Sequence, residues 1–390
     1  MKKIRVLFPF VEAGLGHIMP MRAIIETFSE KYGDRVEVVA SEFFTETGDS
    51  HLAKYEQTLS NQVRTYNRVP AIGHCATLSC EFFGTALSSF CSMRVIGPVA
   101  ASRGIEHMRE LKPDVVFSTH WATNYYAEKL KENKPLTIVY CPDARLNKLF
   151  DYKSDLVLIS MPKGYELGLR SRRYNEDNLK LVPFLIRNEA FGITESKKEL
   201  RRRLGIPEDN FTVVMAEGGY GIGKMKKICE LLVKERFPLT VLPVCGKNAE
   251  LFDYLKTLKS TDEVTFRPYG YTEKILELEA AADLFCGKSG NILAEPTFFG
   301  VPSVVTHFAN SIEKYIADHY INTVGCAIKE FSPQKAVDLI RSFAEDGSLL
   351  EPYRRAALGY HDHFGAETAA DVIWEKITER FPDILGGEKN

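Results

Sequence analysis

The chain alternates short apolar runs, rich in β-branched residues, with longer amphipathic segments. In its first half the apolar runs are 4–8, 36–40, 115–118, 137–141 and 156–159. Between the first two runs, the segment 19–31 has apolar residues at helical spacing. Apolar strands that alternate with helices are typical of a parallel sheet with helices on both faces. Residues 1–187 are therefore predicted to be one doubly wound α/β domain.

The same alternation restarts after a charged stretch at 195–203. The apolar runs of the second half are 212–216, 240–245, 264–268, 284–286 and 303–306. They predict a second doubly wound domain over 188–350. A helix expected at 366–380 should pack the terminal segment 351–390 back toward the N-terminal domain. Two such domains in one chain predict a ligand cleft at the carboxyl ends of the strands.

Composition excludes several classes of protein. Fifty basic and 52 acidic residues give a formal charge of -2, so no global attraction to nucleic acid is expected. The eight cysteines form no C-x-x-C pair and no zinc-like spacing, which favours reduced thiols over a disulfide framework. No stretch approaches the roughly 20 apolar residues that span a bilayer, and the N-terminus lacks a signal-peptide pattern. We therefore expect a cytoplasmic protein, soluble or peripheral on the inner face of the membrane.

A glycine-containing turn is predicted at 12–17, directly after the first strand. Its glycines would let the backbone approach a ligand, and the helix that follows offers free N–H groups. The third glycine of a dinucleotide fingerprint is replaced by Met19, so this motif does not predict NAD binding. His17 ends the turn and can titrate near neutral pH. The residues alone leave open whether His17 is catalytic or only caps the helix.

Two further turns follow strands of the second half. The first, 216–223, holds four glycines ahead of a helix and could face a phosphate, although it lacks the Gly-Lys-Ser/Thr end of a P-loop. The second, 286–291, is a small polar turn that could hold a diphosphate on its N–H groups and on Ser289. Glu295 lies one helical turn later, where its carboxylate could accept hydrogen bonds from a ribose diol. Both turns therefore predict a nucleotide site.

These motifs occur in an order that resembles one glycosyltransferase group. The group holds the processive diacylglycerol glucosyltransferases and the monogalactosyldiacylglycerol synthases (glycosyltransferase family 28-like). The resemblance covers nearly the whole chain and rests on the segments 14–17, 142–143, 218–223, 244–248, 269–271 and 288–295. It implies a GT-B fold, with two Rossmann-like domains, and an inverting transfer from a UDP-sugar that needs no metal or other cofactor.

The resemblance also implies a role for individual residues. On the donor side, Tyr271 should hold the uracil, Glu295 the ribose, and Glu313 the sugar. The diphosphate is assigned to Gly218, Gly219, Gly221, Ser289, Gly290 and Asn291. The acceptor should lie beside Gly14, Gly16 and His17. His120 is added from its position after the strand 115–118, which should direct it to the cleft, and the residues leave open whether it is functional or only packed. A pair formed by Glu12 and His17 is the expected acid–base machinery, and Asp143 is the competing base. Ile312 replaces a glutamine of the family motif, and Asn291 also departs from the family, so the sugar and the acceptor stay open.

The expected function is transfer of a hexose from a UDP-sugar to a diacylglycerol-like lipid or another hydrophobic hydroxyl acceptor. Two alternatives are a UDP-sugar epimerase of the same fold and a non-catalytic nucleotide-sugar-binding protein. The apolar segment 82–96 is expected to be either an acceptor or membrane-entry element or a buried core helix. The sequence 361–363 (His-Asp-His) resembles a metal site only superficially, and a solvated turn is expected there.

Overall fold

The computed structural model describes residues 3–11, 15–83, 98–146, 154–171 and 173–384. By their contacts these residues group into two compact units. The N-terminal unit contains residues from 1–63, 75–188 and 363–390, and the C-terminal unit contains 64–74 and 189–362. The domain boundaries expected at residues 187 and 350 stay a prediction. The contact-based units differ from them at 64–74 and at 351–362.

The N-terminal unit contains a parallel sheet of six strands. Its strands are β1 (Ile4–Pro9), β2 (Val36–Ser41), β3 (Val115–Ser118), β4 (Leu136–Cys141), β5 (Leu156–Ile159) and β6 (Leu179–Leu181), in the order β2-β1-β3-β4-β5-β6. Its helices are α1 (Leu15–Tyr32), α2 (Ser50–Arg68), α3 (Pro70–Phe83), α4 (Pro98–Leu111), α5 (Trp121–Glu128) and α6 (Pro162–Arg170). The ends of α2 and α3 at 64–74 group with the other unit.

The C-terminal unit repeats this architecture. Its strands are β7 (Phe211–Ala216), β8 (Leu239–Val244), β9 (Val264–Phe266), β10 (Leu284–Lys288), β11 (Ser303–His307) and β12 (Ala327–Lys329), in the order β12-β11-β10-β7-β8-β9. Its helices are α7 (Lys197–Leu204), α8 (Met225–Leu232), α9 (Ala249–Leu255), α10 (Ile275–Ala281), α11 (Ala294–Phe298), α12 (Ser311–Asp318), α13 (Pro333–Glu345) and α14 (Glu351–Leu358). Short 3-10 or π turns cover Asn188–Gly192, Asn291–Leu293, His319–Val324, Gly347–Leu349 and His361–His363.

The predicted fold class, two doubly wound α/β halves, is confirmed. Strands β3, β4 and β5 are buried along their whole length, because helices cover both faces of the sheet. Two details differ from the sequence prediction. Helix α1 begins at Leu15 rather than near Met19, so Gly16 and His17 are helical. The three-residue strands β6 and β12 were not predicted, because so short a run carries little periodicity.

Strand order places the candidate site loops. In the C-terminal sheet the order reverses between β7 and β10, which lie side by side although they are not consecutive in the chain. In the N-terminal sheet the corresponding reversal is between β1 and β3. Ligands of open α/β sheets bind outside the carboxyl ends of the strands at such switch points. The predicted motifs follow these strands.

The last helix, α15 (Glu367–Arg380), packs into the core of the N-terminal unit. Ala369, Ile373 and Ile377 on its inner face are fully buried beside residues of β1, β3 and α1. At the rim of this contact the indole of Trp374 stacks on the ring of Tyr32, with centroids 4.6 Å apart. This distant segment therefore completes the hydrophobic core of the first sheet.

Three further sequence predictions concern membrane spans, the segment 82–96 and the cysteines. Among the described residues, no helix is both long and apolar enough to cross a bilayer. The segment 82–96 falls almost wholly outside the described residues. Of the described cysteines, Cys141, Cys229, Cys245, Cys286 and Cys326 are buried free thiols, whereas Cys75 is exposed. Burial of these thiols agrees with their place inside apolar runs.

Replacing Ile373 by Ala should lower the free energy of unfolding of the N-terminal unit by about 2–5 kcal/mol, because the substitution leaves a cavity in its core. Both tryptophans, Trp121 and Trp374, belong to this unit, so urea unfolding followed by tryptophan fluorescence would measure the loss. The exposed Glu375, replaced by Ala on the same helix, is the control. Equal stability of the two variants would show that α15 does not support this core.

Candidate functional site

The glycine-rich loop between β7 and α8 is held in a fixed shape. Gly218 and Gly221 have φ angles of +72° and +55°, a region that side chains other than glycine rarely adopt. A Cβ on Gly221 would lie only 2.4 Å from the carbonyl oxygen of Cys245. The Asn248 amide donates to the carbonyl of Gly221 at 2.9 Å, and the N–H of Lys247 donates to that of Gly219 at 2.8 Å. The loop is therefore preformed rather than a flexible turn.

A buried carboxylate, Glu217, stands at the start of this loop. Its Oε1 accepts the backbone N–H of Lys224 at 2.5 Å and that of Met225 at 2.9 Å, at the beginning of α8. Burial raises the pKa of Glu217 to about 7, although both N–H groups and the charges of Lys288 and Lys224 oppose the shift. Two N–H groups at the start of α8 are thus already occupied by the protein's own carboxylate. These two N–H groups are therefore not available to a ligand, whereas the glycine backbone of the loop is not engaged by Glu217.

The turn that follows β10 is open on one side. Gly290 has a φ angle of +146°, and a Cβ built there would meet no atom within 4 Å. Beside Gly218 the nearest atom to such a Cβ is the Cε of Lys288, at 3.9 Å. Asn291 begins the 3-10 turn that leads into α11. The two loops therefore present accessible glycine backbone, with Lys288 beside Gly218 and two residues before Gly290.

Ser289 plays a different part from the one expected. It is fully buried, its N–H donates to the carbonyl of His307 at 2.8 Å, and its hydroxyl donates to the carbonyl of Glu313 at 2.6 Å. Both of its donors are committed to fixing the turn against the end of β11 and the first turn of α12. Ser289 therefore shapes the polar turn, and its hydroxyl is not placed to donate to a ligand.

Lys288 and Glu313 form a buried ion pair, which the sequence analysis did not foresee. Lys288 Nζ lies 2.6 Å from Glu313 Oε1, and Glu313 Oε2 accepts the N–H of Ala309 at 2.7 Å. Lys288 also donates to the side-chain oxygen of Asn67 at 2.6 Å. Glu313 therefore holds a cation and a backbone group with its two oxygens, and its contact with a donor sugar stays a prediction. In the sequence, the lysine directly before the polar turn is the signal that could have indicated a cation at this site.

The assignment of Glu295 and Tyr271 to the donor stays a prediction. Glu295 is the second residue of α11 and is partly buried. Tyr271 follows β9 and is 58% exposed. His307, at the end of β11, was missed by sequence reasoning. Its Nε2 is buried without a hydrogen-bond partner in the described part of the chain, and burial together with the charge of Lys288 lowers its pKa.

In the N-terminal unit, His17 and His120 lie next to each other. Their ring centroids are 5.4 Å apart and the rings are nearly perpendicular. His17 Nδ1 is 2.8 Å from the carbonyl oxygen of Thr119. Because a carbonyl only accepts hydrogen bonds, Nδ1 carries the proton and Nε2 is the basic nitrogen. Burial lowers the pKa of His17, which keeps the ring neutral at pH 7.

His120 has the opposite tautomer. Its Nδ1 accepts the N–H of Ala122 at 3.2 Å and so caps helix α5. Nδ1 is therefore unprotonated and Nε2 carries the proton. Burial holds the pKa of His120 well below its usual value, and the adjacent His17 disfavours a second positive charge there. His120 thus acts as a helix cap in this structure.

The other predicted catalytic groups are only partly described. Asp143 is buried and lies two residues after the end of β4, the strand that pairs with β3. Glu12 and Gly14 lie outside the described residues, so the pair of Glu12 with His17 stays a prediction. Because β1, β3 and β4 are parallel neighbours, the residues that follow them are brought to one edge of the N-terminal sheet.

The described part of the chain contains no group of three His, Cys, Asp or Glu side chains that could hold a metal ion. The segment His361–His363 is a 3-10 turn. Residues 361–363 are exposed, as expected for a solvated turn, although the ring of His361 also stacks on Phe298 with centroids 4.3 Å apart. Its Nδ1 lies 3.1 Å from the carbonyl oxygen of Phe298. The turn therefore packs against α11.

The chain is similar in sequence to known glycosyltransferases. Residues 196–359 match the family described as glycosyl transferases group 1. The chain is 27% identical over 182 residues to a processive diacylglycerol beta-glucosyltransferase of Bacillus pumilus, which covers 46% of this chain and 47% of that protein. It is 23% identical to a probable monogalactosyldiacylglycerol synthase of Nicotiana tabacum, over 86% of this chain and 64% of the other. The resemblance is confirmed. The chain spans about half to two thirds of the length of these relatives.

Solved structures agree on the fold, which is GT-B. MurG of Acinetobacter baumannii superposes with a TM-score of 0.58 at 13% identity, over 96% of this chain and 99% of that one. A UDP-GlcNAc 2-epimerase of Neisseria meningitidis, bound to UDP-GlcNAc, superposes with a TM-score of 0.57 at 12% identity. That match covers 97% of this chain and all of the other. At such identities the likeness concerns the fold alone.

Replacing Glu217 by Gln should change how stability depends on pH. In the native protein Glu217 keeps its proton up to about pH 7, whereas the unfolded chain loses it near pH 4.5. Its contribution is therefore present below pH 4.5 and is lost as pH rises toward 7. Because Gln does not titrate, the stability of the variant relative to the native protein should be about 2 kcal/mol more favourable at pH 8 than at pH 5.

Urea unfolding followed by circular dichroism at the two pH values would measure this difference. Glu250, exposed on α9, replaced by Gln is the matched control and should show the same pH dependence as the native protein. If the Glu217 variant also follows the native pH dependence, Glu217 is ionised in the folded protein at pH 5.

Proposed function

We propose that the protein is an inverting glycosyltransferase that moves a hexose from a UDP-sugar to a lipid or another hydrophobic hydroxyl acceptor. One observation carries the proposal. The segment that matches glycosyl transferases group 1 presents open glycine backbone at Gly218, beside the buried Lys288, and at Gly290, two residues after it, at the switch point of the sheet. Such backbone next to a cation suits a diphosphate.

The donor would be bound by the C-terminal unit. In this proposal the diphosphate lies against Gly218 and Gly290, with the ammonium of Lys288 offsetting its charge. Glu295 accepts hydrogen bonds from the ribose, and Tyr271 lies beside the uracil. As the glycosidic bond breaks, negative charge develops on the leaving UDP, so fixed N–H dipoles and a fixed cation lower the barrier. No metal ion enters this scheme.

The base would come from the N-terminal unit. Nε2 of a neutral His17 takes the proton of the acceptor hydroxyl while the hydroxyl oxygen attacks the anomeric carbon. The bond from that carbon to UDP breaks on the opposite face, so the configuration inverts. The Thr119 carbonyl holds His17 in the required tautomer and favours its charged form after proton transfer. Asp143 is the alternative base.

The names of the relatives support a lipid acceptor. The Bacillus pumilus protein is named as a diacylglycerol glucosyltransferase, and the Nicotiana tabacum protein as a probable synthase of monogalactosyldiacylglycerol. Such an acceptor would place this protein peripherally on a membrane surface, on its cytoplasmic side. The sugar is left undetermined in this proposal, since Ile312 replaces a glutamine of the family motif.

An epimerase is the second candidate, because a UDP-GlcNAc 2-epimerase shares the fold. The two functions differ in what happens without acceptor. We expect UDP to be released when the protein is incubated with UDP-glucose or UDP-galactose and diacylglycerol vesicles, but not with the donor alone. The measurement is a coupled UDP assay together with chromatography of the sugar.

An epimerised or free sugar formed without acceptor would favour the epimerase. UDP binding with no release from any donor and acceptor mixture would indicate a non-catalytic nucleotide-sugar-binding protein. Absence of UDP binding would contradict all three candidates.

Replacing His17 by Ala should reduce turnover by roughly 10²–10⁴-fold, the usual loss for a general base, with little change in UDP affinity. His17 belongs to the N-terminal unit, whereas the diphosphate loops belong to the C-terminal unit. Single-turnover rates at saturating donor and calorimetric UDP titrations would separate the two effects. The exposed His51, replaced by Ala, is the control. An active His17 variant beside an inactive Asp143→Asn variant would make Asp143 the base.

A further inference from the structure

Residues 64–74 come from the N-terminal half of the sequence but group with the C-terminal unit. The segment contacts the donor-side loops at several points. The guanidinium of Arg64 lies 4.7 Å from the ring centre of Tyr220, in the glycine-rich loop. The ring of His74 lies 5.7 Å from that of Phe308, and Gly73 packs so closely that a Cβ would lie 2.4 Å from the carbonyl oxygen of Ala309.

Asn67 is the polar centre of this segment. It is only 7% exposed, and its side-chain oxygen accepts a hydrogen bond from Lys288 Nζ at 2.6 Å. Lys288 itself is 8% exposed and makes its second contact with Glu313, also at 2.6 Å. An ammonium group has three N–H donors, so these two acceptors fix its position and leave a third donor direction. A cation held in this way cannot swing as a surface lysine does.

The ammonium of Lys288 lies close to both glycine-containing loops. Lys288 directly precedes the turn of Ser289 and Gly290, and its Cε lies beside Gly218 of the other loop. Lys288 is thus the cation shared by both loops at the switch point. Glu313 accepts a hydrogen bond from the ammonium and also offsets its positive charge. Asn67 adds a second acceptor that carries no charge, so orientation is gained without further loss of positive potential.

We propose that Asn67 is a positioning residue for the diphosphate of the nucleotide donor. It orients the ammonium of Lys288 toward the two glycine loops, and Lys288 then contacts the ligand. This inference rests on the proposed function, since it takes a nucleoside diphosphate as the ligand. It assigns a donor-site role to a helix end that the sequence places in the half expected to bind the acceptor.

A double-mutant cycle on UDP binding tests this role. Isothermal titration calorimetry would compare the native full chain with Asn67→Leu, Lys288→Met and the double variant. Leu keeps the size of the side chain but removes the acceptor oxygen. We expect Asn67→Leu to weaken UDP binding about tenfold in the native background and less than about twofold once Lys288 is Met, because the two residues act through one contact.

Uridine and a second asparagine provide the controls. Uridine lacks the diphosphate, so its affinity should not change in any variant. Asn61 is exposed on the same helix, α2, and Asn61→Leu should leave UDP binding unchanged. Melting temperatures would show that each variant is folded. If Asn67→Leu is unfolded, Asn67→Ala, which adds no bulk, takes its place in the cycle.

The outcomes separate this inference from the proposed function. Native affinity in the Asn67→Leu variant, or an equal loss with and without Lys288, would overturn the positioning role while leaving UDP binding intact. Tighter UDP binding would also overturn it, since the contact would then compete with the ligand. Weaker binding of uridine and UDP alike would indicate a general structural defect. If the native chain binds no UDP, both the inference and the proposed function are wrong.

Discussion

Parallel strand pairing is the constraint on which both units depend. Every strand of each sheet runs in the same direction, so all strands end at one edge, and the helices that reconnect them cover both faces. Only at the switch point do two neighbouring loops turn away from each other and leave room for a ligand. In the C-terminal unit this point lies between β7 and β10. The glycine-rich loop and the polar turn are therefore adjacent because of topology, although about 70 residues separate them in the chain.

Buried charges then define what this opening can accept. A carboxylate or ammonium removed from water is costly unless it is paired and hydrogen-bonded. Glu217 meets this cost with two backbone N–H groups and by holding its proton up to about pH 7. Lys288 meets it with Glu313 and Asn67. Glu217 therefore occupies the N–H groups at the start of α8, so that they are not available to a ligand. Lys288 places a fixed cation beside open glycine backbone.

The sequence predicted the strands well where burial controls composition. The runs 115–118 and 137–141 are β-branched and apolar because helices cover both faces of the sheet, and both are strands. The last helix was also predicted from its periodicity, since Ala369, Ile373 and Ile377 share one face. The start of α1 was misplaced because glycines favour a turn locally, while tertiary packing extends the helix to Leu15.

The interior of the site could not be predicted in the same way. Asn67 and Lys288 are 221 positions apart, and nothing in the local sequence of either residue indicates the other. Ser289 was assigned to the ligand because a serine in a polar turn usually presents its hydroxyl. In the structure that hydroxyl donates to the carbonyl of Glu313, in the first turn of α12. Glu217 was overlooked because a carboxylate beside four glycines gives no periodic signal, and its role depends on the start of a helix seven residues later.

Tautomers decide which of the two adjacent histidines can act as a base. Both rings are neutral because burial lowers both pKa values, so charge does not distinguish them. Their backbone partners do. The carbonyl of Thr119 requires a proton on Nδ1 of His17, which makes Nε2 of His17 an acceptor, whereas the N–H of Ala122 requires an unprotonated Nδ1 on His120 and makes its Nε2 a donor. One member of the pair can therefore take a proton from a hydroxyl while its neighbour can only donate a hydrogen bond. Two residues that look equivalent in sequence thus acquire opposite roles from two backbone hydrogen bonds.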